Sequence, residues 1–321
     1  MIMGMRSRLL KLKWIPSAAL AGAVILVALP VLGLEGYRLR LFSLLYMWIS
    51  LAVCWNLMSG YTGYIDFGPV AYFGVGSYAT ALMMIRGEFS FFPSLIFAGI
   101  LCAGLSWAIG RATLRLQGAY FAIATFAAAE ALRQVVLEGD RVLGIEFLGG
   151  AHGLTFPPPP GEIFFYYLML FFAFLTIALT AFLEKRKFGL GLRAIRQAEP
   201  VAELSGVPTL AIKLRAYVLS STLIGCIGGG EAYWLTYIIA DDVFNVMRTI
   251  QMVIMTLLGG MGTLLGPVIG ATFLTLVSEI LGAKFVYDYL IIVGVTIVIV
   301  ILLLPRGIAG TFLYGRRGLK R

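Results

Sequence analysis

Ile163-Phe-Phe-Tyr-Tyr-Leu-Met-Leu-Phe-Phe-Ala-Phe-Leu-Thr-Ile-Ala-Leu-Thr-Ala-Phe-Leu183 carries no charge and stops abruptly at Glu184-Lys-Arg-Lys187. A helix rises about 1.5 Å per residue, so the run is long enough to cross a hydrocarbon core of about 30 Å. Lipid offers no partner for backbone N–H and C=O groups, which makes a helix the conformation that satisfies them within one segment. Basic residues next to an apolar span mark the cytoplasmic side. The stretch therefore reads as a membrane helix whose second end lies inside the cell.

The same grammar repeats along the chain. Apolar runs at residues 16–33, 41–59, 67–85, 93–111 and 118–137 precede the quoted one, and runs at 216–238, 249–281 and 286–304 follow it. Composition agrees: 60% of the residues are hydrophobic, only 13% are charged, and the mean hydropathy is +0.94. A soluble domain typically has about 25% charged residues. The predicted fold is all-α, a polytopic transmembrane bundle of about 8–10 spans with broken or re-entrant helices.

Charge position sets the expected topology. The net charge of +9 is clustered in Arg6, Arg8, Lys11 and Lys13, in the middle of the chain from Lys185 to Arg215, and in Arg316, Arg317, Lys320 and Arg321. No soluble domain displays these clusters as a nucleic-acid surface, so lipid and protein are the expected partners. With residues 1–15 as a basic cytoplasmic N-terminus, residues 16–183 form six spans and return to the cytoplasm. The apolar start reads as an uncleaved first span, because no small-x-small cleavage site closes it. Residues 184–215 form a cytoplasmic loop, residues 216–304 the C-terminal spans, and residues 305–321 a basic cytoplasmic tail. That tail requires residues 249–281 to cross an even number of times. Gly259, Gly260, Gly262, Gly266 and Pro267 supply the reason, since Gly and Pro break a helix there. Either a re-entrant hairpin or two short crossings fits.

Three segments carry candidate mechanism. In Asn56-Leu-Met-Ser-Gly60-Tyr-Thr-Gly-Tyr-Ile-Asp66-Phe-Gly-Pro-Val70, and on to Gly74 and Gly76, five glycines surround Asp66. Gly60, Gly63, Gly68, Gly74 and Gly76 let helices approach closely or let the backbone leave helical geometry. Both a tight packing seam and a wall of the transport path fit them. Asp66 reads as an interfacial or capping acid, because deep burial of a charge is costly. The second segment is the break at 259–267, where packing and exposed half-helix ends are both open. The third is residues 188–207, in which Leu192, Ile195 and Leu204 alternate with Arg193, Arg196, Glu199 and Glu203. This is a short helix lying flat, either a solvated loop helix or one that docks into a partner's groove, and Gly206 ends it.

Other chemistry has little to stand on. No GxxxxGK[ST] phosphate loop occurs, so no ATP is expected to bind by that device, and the single histidine, His152, permits neither a His-based triad nor an HExxH metal site. Cys54, Cys102 and Cys226 lie in apolar stretches without metal or disulfide spacing. Glu130 and Arg133 share a helical face and are spaced to pair. Glu231 follows three glycines, and Glu279 lies in the 249–281 region; each is either an intramembrane functional acid or a residue near a span end. A secondary transporter or channel would need ionisable or oxygen-rich groups at mid-membrane, where few are present.

The segments at 56–80, Leu116-Gln-Gly-Ala-Tyr-Phe-Ala-Ile-Ala-Thr125, 188–207, 258–270 and Leu304-Pro-Arg-Gly-Ile308 together resemble the permeases of the branched-chain amino acid ABC-importer family, in order, over roughly residues 40–310. The resemblance implies an inner-membrane permease with both termini cytoplasmic. It would pair with a second related permease and two cytoplasmic ATPases, and receive substrate from a periplasmic binding protein. It would bind no cofactor itself, ATP being used by the partner subunits. It implies that 188–207 is the coupling helix, with Gly191, Arg193, Ile195, Arg196, Glu199, Glu203 and Gly206 as contact and capping residues. Relatives of this type also handle urea, amides and aromatic acids. Pro69, where many relatives carry His, and Glu231, where a small residue is usual, depart from the pattern.

Overall fold

The computed structural model describes residues 25–284 except 31, 32, 34, 144–147, 150 and 151, together with 294, 307 and 308. Most of the expected first span, both basic termini and nearly all of 286–304 lie outside the described residues.

The described residues form an all-α bundle. In chain order its helices are α1 (Tyr37–Trp55, extended by a π-helical turn at Asn56–Gly60), α2 (Pro69–Ile85), α3 (Phe91–Thr113), α4 (Ala119–Leu143), α5 (Glu162–Glu184), α6 (Lys187–Leu204), α7 (Thr209–Leu235), α8 (Ala240–Val243), α9 (Val246–Gly259) and α10 (Gly266–Lys284). Among them α1 with its extension, α3, α4, α5 and α7 are long and apolar enough to cross a membrane, and α2 and α10 are shorter apolar helices. The chain is thus a polytopic membrane protein.

Burial ranks the helices. The most apolar window of α1 is 83% buried, whereas that of α4 is 22% buried. A helix that is apolar all round and enclosed all round sits at the centre, so α1 is the axis and α4 lies at the edge. Ser43 and Ser50 inside α1 donate to the carbonyls of Leu39 (2.9 Å) and Tyr46 (2.6 Å) one turn back, which satisfies both hydroxyls without a partner helix.

The helix ends fall into two sets. Lys185, Lys187, Arg193, Arg196 and Arg111 gather where α1, α3 and α5 finish and α7 begins; this is the basic end. At the opposite end the loop after α4 joins the end of α7 through an antiparallel two-residue ribbon, Leu154 facing Ile238 and Thr155 facing Tyr237.

Two helices are interrupted. α9 has 14 residues, about 21 Å by helical rise, and runs from the opposite end to the basic end. The chain turns at Gly260 (φ +121°) and Gly262 (φ +78°), conformations open to glycine. α10 then returns, and Tyr37 donates to Glu279 Oε1 (2.5 Å) near its far end. The segment therefore enters and leaves at the same end. α2 is interrupted at its start. Phe67 N donates to Thr125 Oγ1 (3.2 Å), six residues into α4, so the chain is already about 9 Å inside the bundle before α2 begins. Pro69 occupies the first turn of α2, where a missing N–H costs nothing.

α7 starts at Thr209 rather than near 216. The charges at Lys213 and Arg215 suggest loop, but Lys213 is 3% exposed and paired with Glu199 at 2.6 Å, so its charge is compatible with a helix inside the protein.

Candidate functional site

At the basic end α6 lies across the bundle. Gly191, Leu192 and Ile195 are buried on one face, with Gly191 packed on Ile212 of α7. Pro200 has no N–H and clashes with helical backbone before it, and the helix kinks at Ala198 (φ −162°, ψ 101°). The end is closed by a Schellman motif: Gly206 N donates to Glu203 O (2.9 Å) and Val207 N to Ala202 O (3.0 Å), with Gly206 at φ +80°. A Cβ on Gly206 would meet no atom within 4 Å. The cost of Gly206→Ala is therefore conformational alone. Thermal unfolding is expected to show a loss of about 1–2 kcal/mol, with Gly206→Asn losing less.

The charged residues of α6 point in two directions. Arg193 pairs with Glu184 at the end of α5 and lies over the Tyr61 ring. Glu199 is turned inward, bonded to Lys213 and to the Tyr64 hydroxyl. Glu203 Oε1 accepts from Thr209 Oγ1 (2.6 Å) at the start of α7. Arg196 reaches furthest. Its Nη1 donates to Gly60 O (2.7 Å) and to Met261 O (3.3 Å).

Those two carbonyls belong to the two places where helices break. Gly60 ends the π-turn of α1, and Met261 lies in the turn between α9 and α10. Asn56, fully buried, links the same pair: its Nδ2 donates to Thr263 O (2.9 Å) and its Oδ1 accepts from Gly262 N (2.8 Å). A Cβ on Gly60 would stand 2.7 Å from Asn56 Cγ and 2.9 Å from Gly262 N, so no larger residue fits between them. A Cβ on Gly63, next along the chain, would stand 3.3 Å from Arg196 Cγ. Broken backbone groups are thus capped by one amide and one guanidinium, as membrane depth requires.

The uncoiled chain before α2 is satisfied in the same manner. Asp66 is 3% exposed; its Oδ1 accepts from Gly68 N (2.8 Å), its N–H donates to Ser59 Oγ (3.2 Å), and its carbonyl accepts from Trp55 Nε1 (2.9 Å). Val70 N donates to Thr249 Oγ1 (3.2 Å) of α9. Hydroxyls from α4 and α9 therefore meet at the start of α2.

Gly74 and Gly76 lie deeper, in a seam. A Cβ on Gly74 would fall 2.6 Å from the Phe244 ring, and one on Gly76 2.6 Å from Gly225 Cα. Gly259, Gly266 and Gly270 form a second seam, in which a Cβ on Gly259 would stand 2.9 Å from Gly270 N. Pro267 follows Gly266 in the first turn of α10.

At the opposite end Glu231 receives two bonds from Arg248 Nη1 (3.0 and 2.8 Å), and Arg248 lies over the Phe73 ring. Glu130 and Arg133 pair at 2.7 Å, and Arg133 extends to Asp241. Glu231 lies one turn from the end of α7, whereas Glu130 lies midway along α4, and each has an arginine partner.

Leu204, grouped by sequence with Leu192 and Ile195, is 90% exposed and does not share their buried face, and Leu190 and Val201, which the sequence did not single out, are exposed as well. The signal was present. Leu190 is two residues from Leu192, so a helix puts them on opposite sides.

The chain matches the family described as "Branched-chain amino acid transport system / permease component" over residues 37–301. It is 24% identical to the high-affinity branched-chain amino acid transport system permease protein LivM of Escherichia coli, over 87% of this chain and 71% of that one. It is 23% identical to the probable branched-chain amino acid transport permease protein LivM of Methanocaldococcus jannaschii, over 78% of this chain and 83% of that one. No solved structure matches. A many-helix membrane bundle matched over most of its length in this way belongs to the family of branched-chain amino acid transport permeases.

Proposed function

We propose that the chain is the membrane subunit of an ATP-driven importer of branched-chain amino acids, with its basic end in the cytoplasm. The observation that carries this reading is the reach of Arg196 from a surface helix to the carbonyls of Gly60 and Met261. A helix held that way moves two interrupted membrane segments when a docked partner moves it. The partners are two cytoplasmic ATPase subunits, which alone use ATP, a second related permease, and a periplasmic substrate-binding protein. Leu190, Val201 and Leu204, with Arg193 beside them, offer an apolar and basic face to an ATPase groove. The weakly buried α4 offers its free side to the second permease. Transport is by alternating access, with the permease pair rocking as the ATPases close.

The test is uptake of labelled leucine, urea and benzoate in a strain lacking this gene, with and without the restored chain. Restoration of leucine uptake alone is expected. Restoration of urea or benzoate uptake instead would overturn the substrate, and uphill transport by the purified chain without an ATPase would overturn the mechanism.

A further inference from the structure

On the lipid side of the basic end, α3, α5 and α7 enclose an apolar groove of about 640 Å³, walled by Trp107, Leu183, Leu214, Val218 and Leu219. Arg215 lines it, and also lines a second cavity of about 540 Å³ between α6 and α7. Phe188 is likewise common to both. The groove thus leads from membrane depth to the α6–α7 junction.

Among the described residues the cations around it, like Arg115, Lys185 and Arg186 at the same end, have no salt-bridge partner. Arg193 and Lys213 each have a carboxylate partner, and Arg196 has two carbonyls. Arg111, Lys187 and Arg215 have no carboxylate partner among the described residues. Arg111 lies instead over the ring of Trp107, a wall of the groove, at 5.6 Å. Arg186 lies over Phe182 at 4.5 Å. Long basic side chains that lie along apolar surface carry their charge to the headgroup level. An apolar slot with unpaired cations at its headgroup end matches one occupant, a lipid with apolar tails and negative charge.

We propose that this groove is a binding site for an anionic phospholipid, with an acyl chain between α3, α5 and α7 and the phosphate held by Arg215 and Arg111, with Lys187 beside it. The lipid braces the junction at which α6 leaves the bundle. The site stands on charge and shape alone and is independent of which solute is transported.

The test uses the delipidated full-length chain in neutral detergent, probed with dioleoyl phosphatidylglycerol, dioleoyl phosphatidylcholine or inorganic phosphate. Bound lipid is counted by native mass spectrometry, and the shift in Tm is recorded. Phosphatidylglycerol is expected to be retained and to raise the Tm; phosphatidylcholine and phosphate are not. Each guanidinium removed is expected to weaken phosphatidylglycerol binding roughly fivefold, so the Arg111→Gln/Arg215→Gln pair falls about twenty-five-fold. Leu219→Trp, which fills the groove and keeps every charge, is expected to lower retention as well. Equal retention of the two lipids, unchanged binding by the arginine pair, or a full Tm shift from phosphate alone would each overturn the proposal.

Discussion

Arg196→Ala is expected to abolish coupled uptake while leaving a folded, membrane-inserted chain. The residue makes one short and one longer bond to carbonyls at two helix breaks. Bonds to charged groups contribute about 1.5–3 kcal/mol. A conformational signal can be no larger than the difference in contact free energy that carries it. Losing these contacts therefore weakens the link between α6 and the interrupted segments by about ten- to a hundredfold. Folding is affected less, because Asn56 still bridges α1 to the α9–α10 turn. Arg196→Lys is expected to be intermediate, since an ammonium keeps the charge but its shorter side chain does not extend as far as the Nη1 that serves both carbonyls. The measurement is solute moved per ATP hydrolysed in vesicles containing the complete assembly. ATP turnover should persist in Arg196→Ala while uptake falls at least tenfold. Native uptake in that variant would remove Arg196 from the coupling route.

How much of this was legible in the sequence depends on which interactions are local. Helix 41–59 was readable because hydropathy over about twenty residues needs no knowledge of neighbours, and α1 with its π-turn covers it. The break after Gly259 was readable because glycine and proline act on their own backbone. The interior start of α2 was not. Nothing in Asp66-Phe-Gly-Pro-Val70 states that Thr125 and Thr249 stand ready to accept the N–H groups of Phe67 and Val70, and without those acceptors the chain would have to uncoil in water. The inward turn of Glu199 was hidden for a related reason. Its partner Lys213 lies fourteen residues on, beyond the Pro200 kink and the Gly206 cap, so no helical spacing links them. Charged residues on α6 look alike in one dimension. Whether each faces a partner or the bundle is decided by what folds beside it.

The largest effect on folding is expected at Gly76. A Cβ there would stand 2.5 Å from the carbonyl carbon of Gly225 and 2.6 Å from its Cα. The obstacle is backbone, so no rotamer change relieves it. Gly225 is itself enclosed, with Cys102 Cβ 3.0 Å from where its own Cβ would be, so α7 cannot retreat without pressing on α3. Overpacking typically costs about 1–3 kcal/mol, and here relief requires two helices to separate. Gly76→Ala is expected at or above the upper figure, and Gly76→Leu is expected to prevent accumulation of folded protein. No second-site change restores the fit, because the opposing residue is already the smallest. Gly104→Ala on α3 is the control. Its Cβ would meet nothing within 4 Å, and a mid-helix alanine is favoured over glycine by about 0.5–1 kcal/mol. Thermal unfolding of Gly76→Ala and Gly104→Ala in one detergent should separate them widely, and Gly76→Leu is read by its yield of folded protein. A native Tm for Gly76→Ala would mean that α2 and α7 are not locked at this crossing, and that the glycines there serve movement rather than contact.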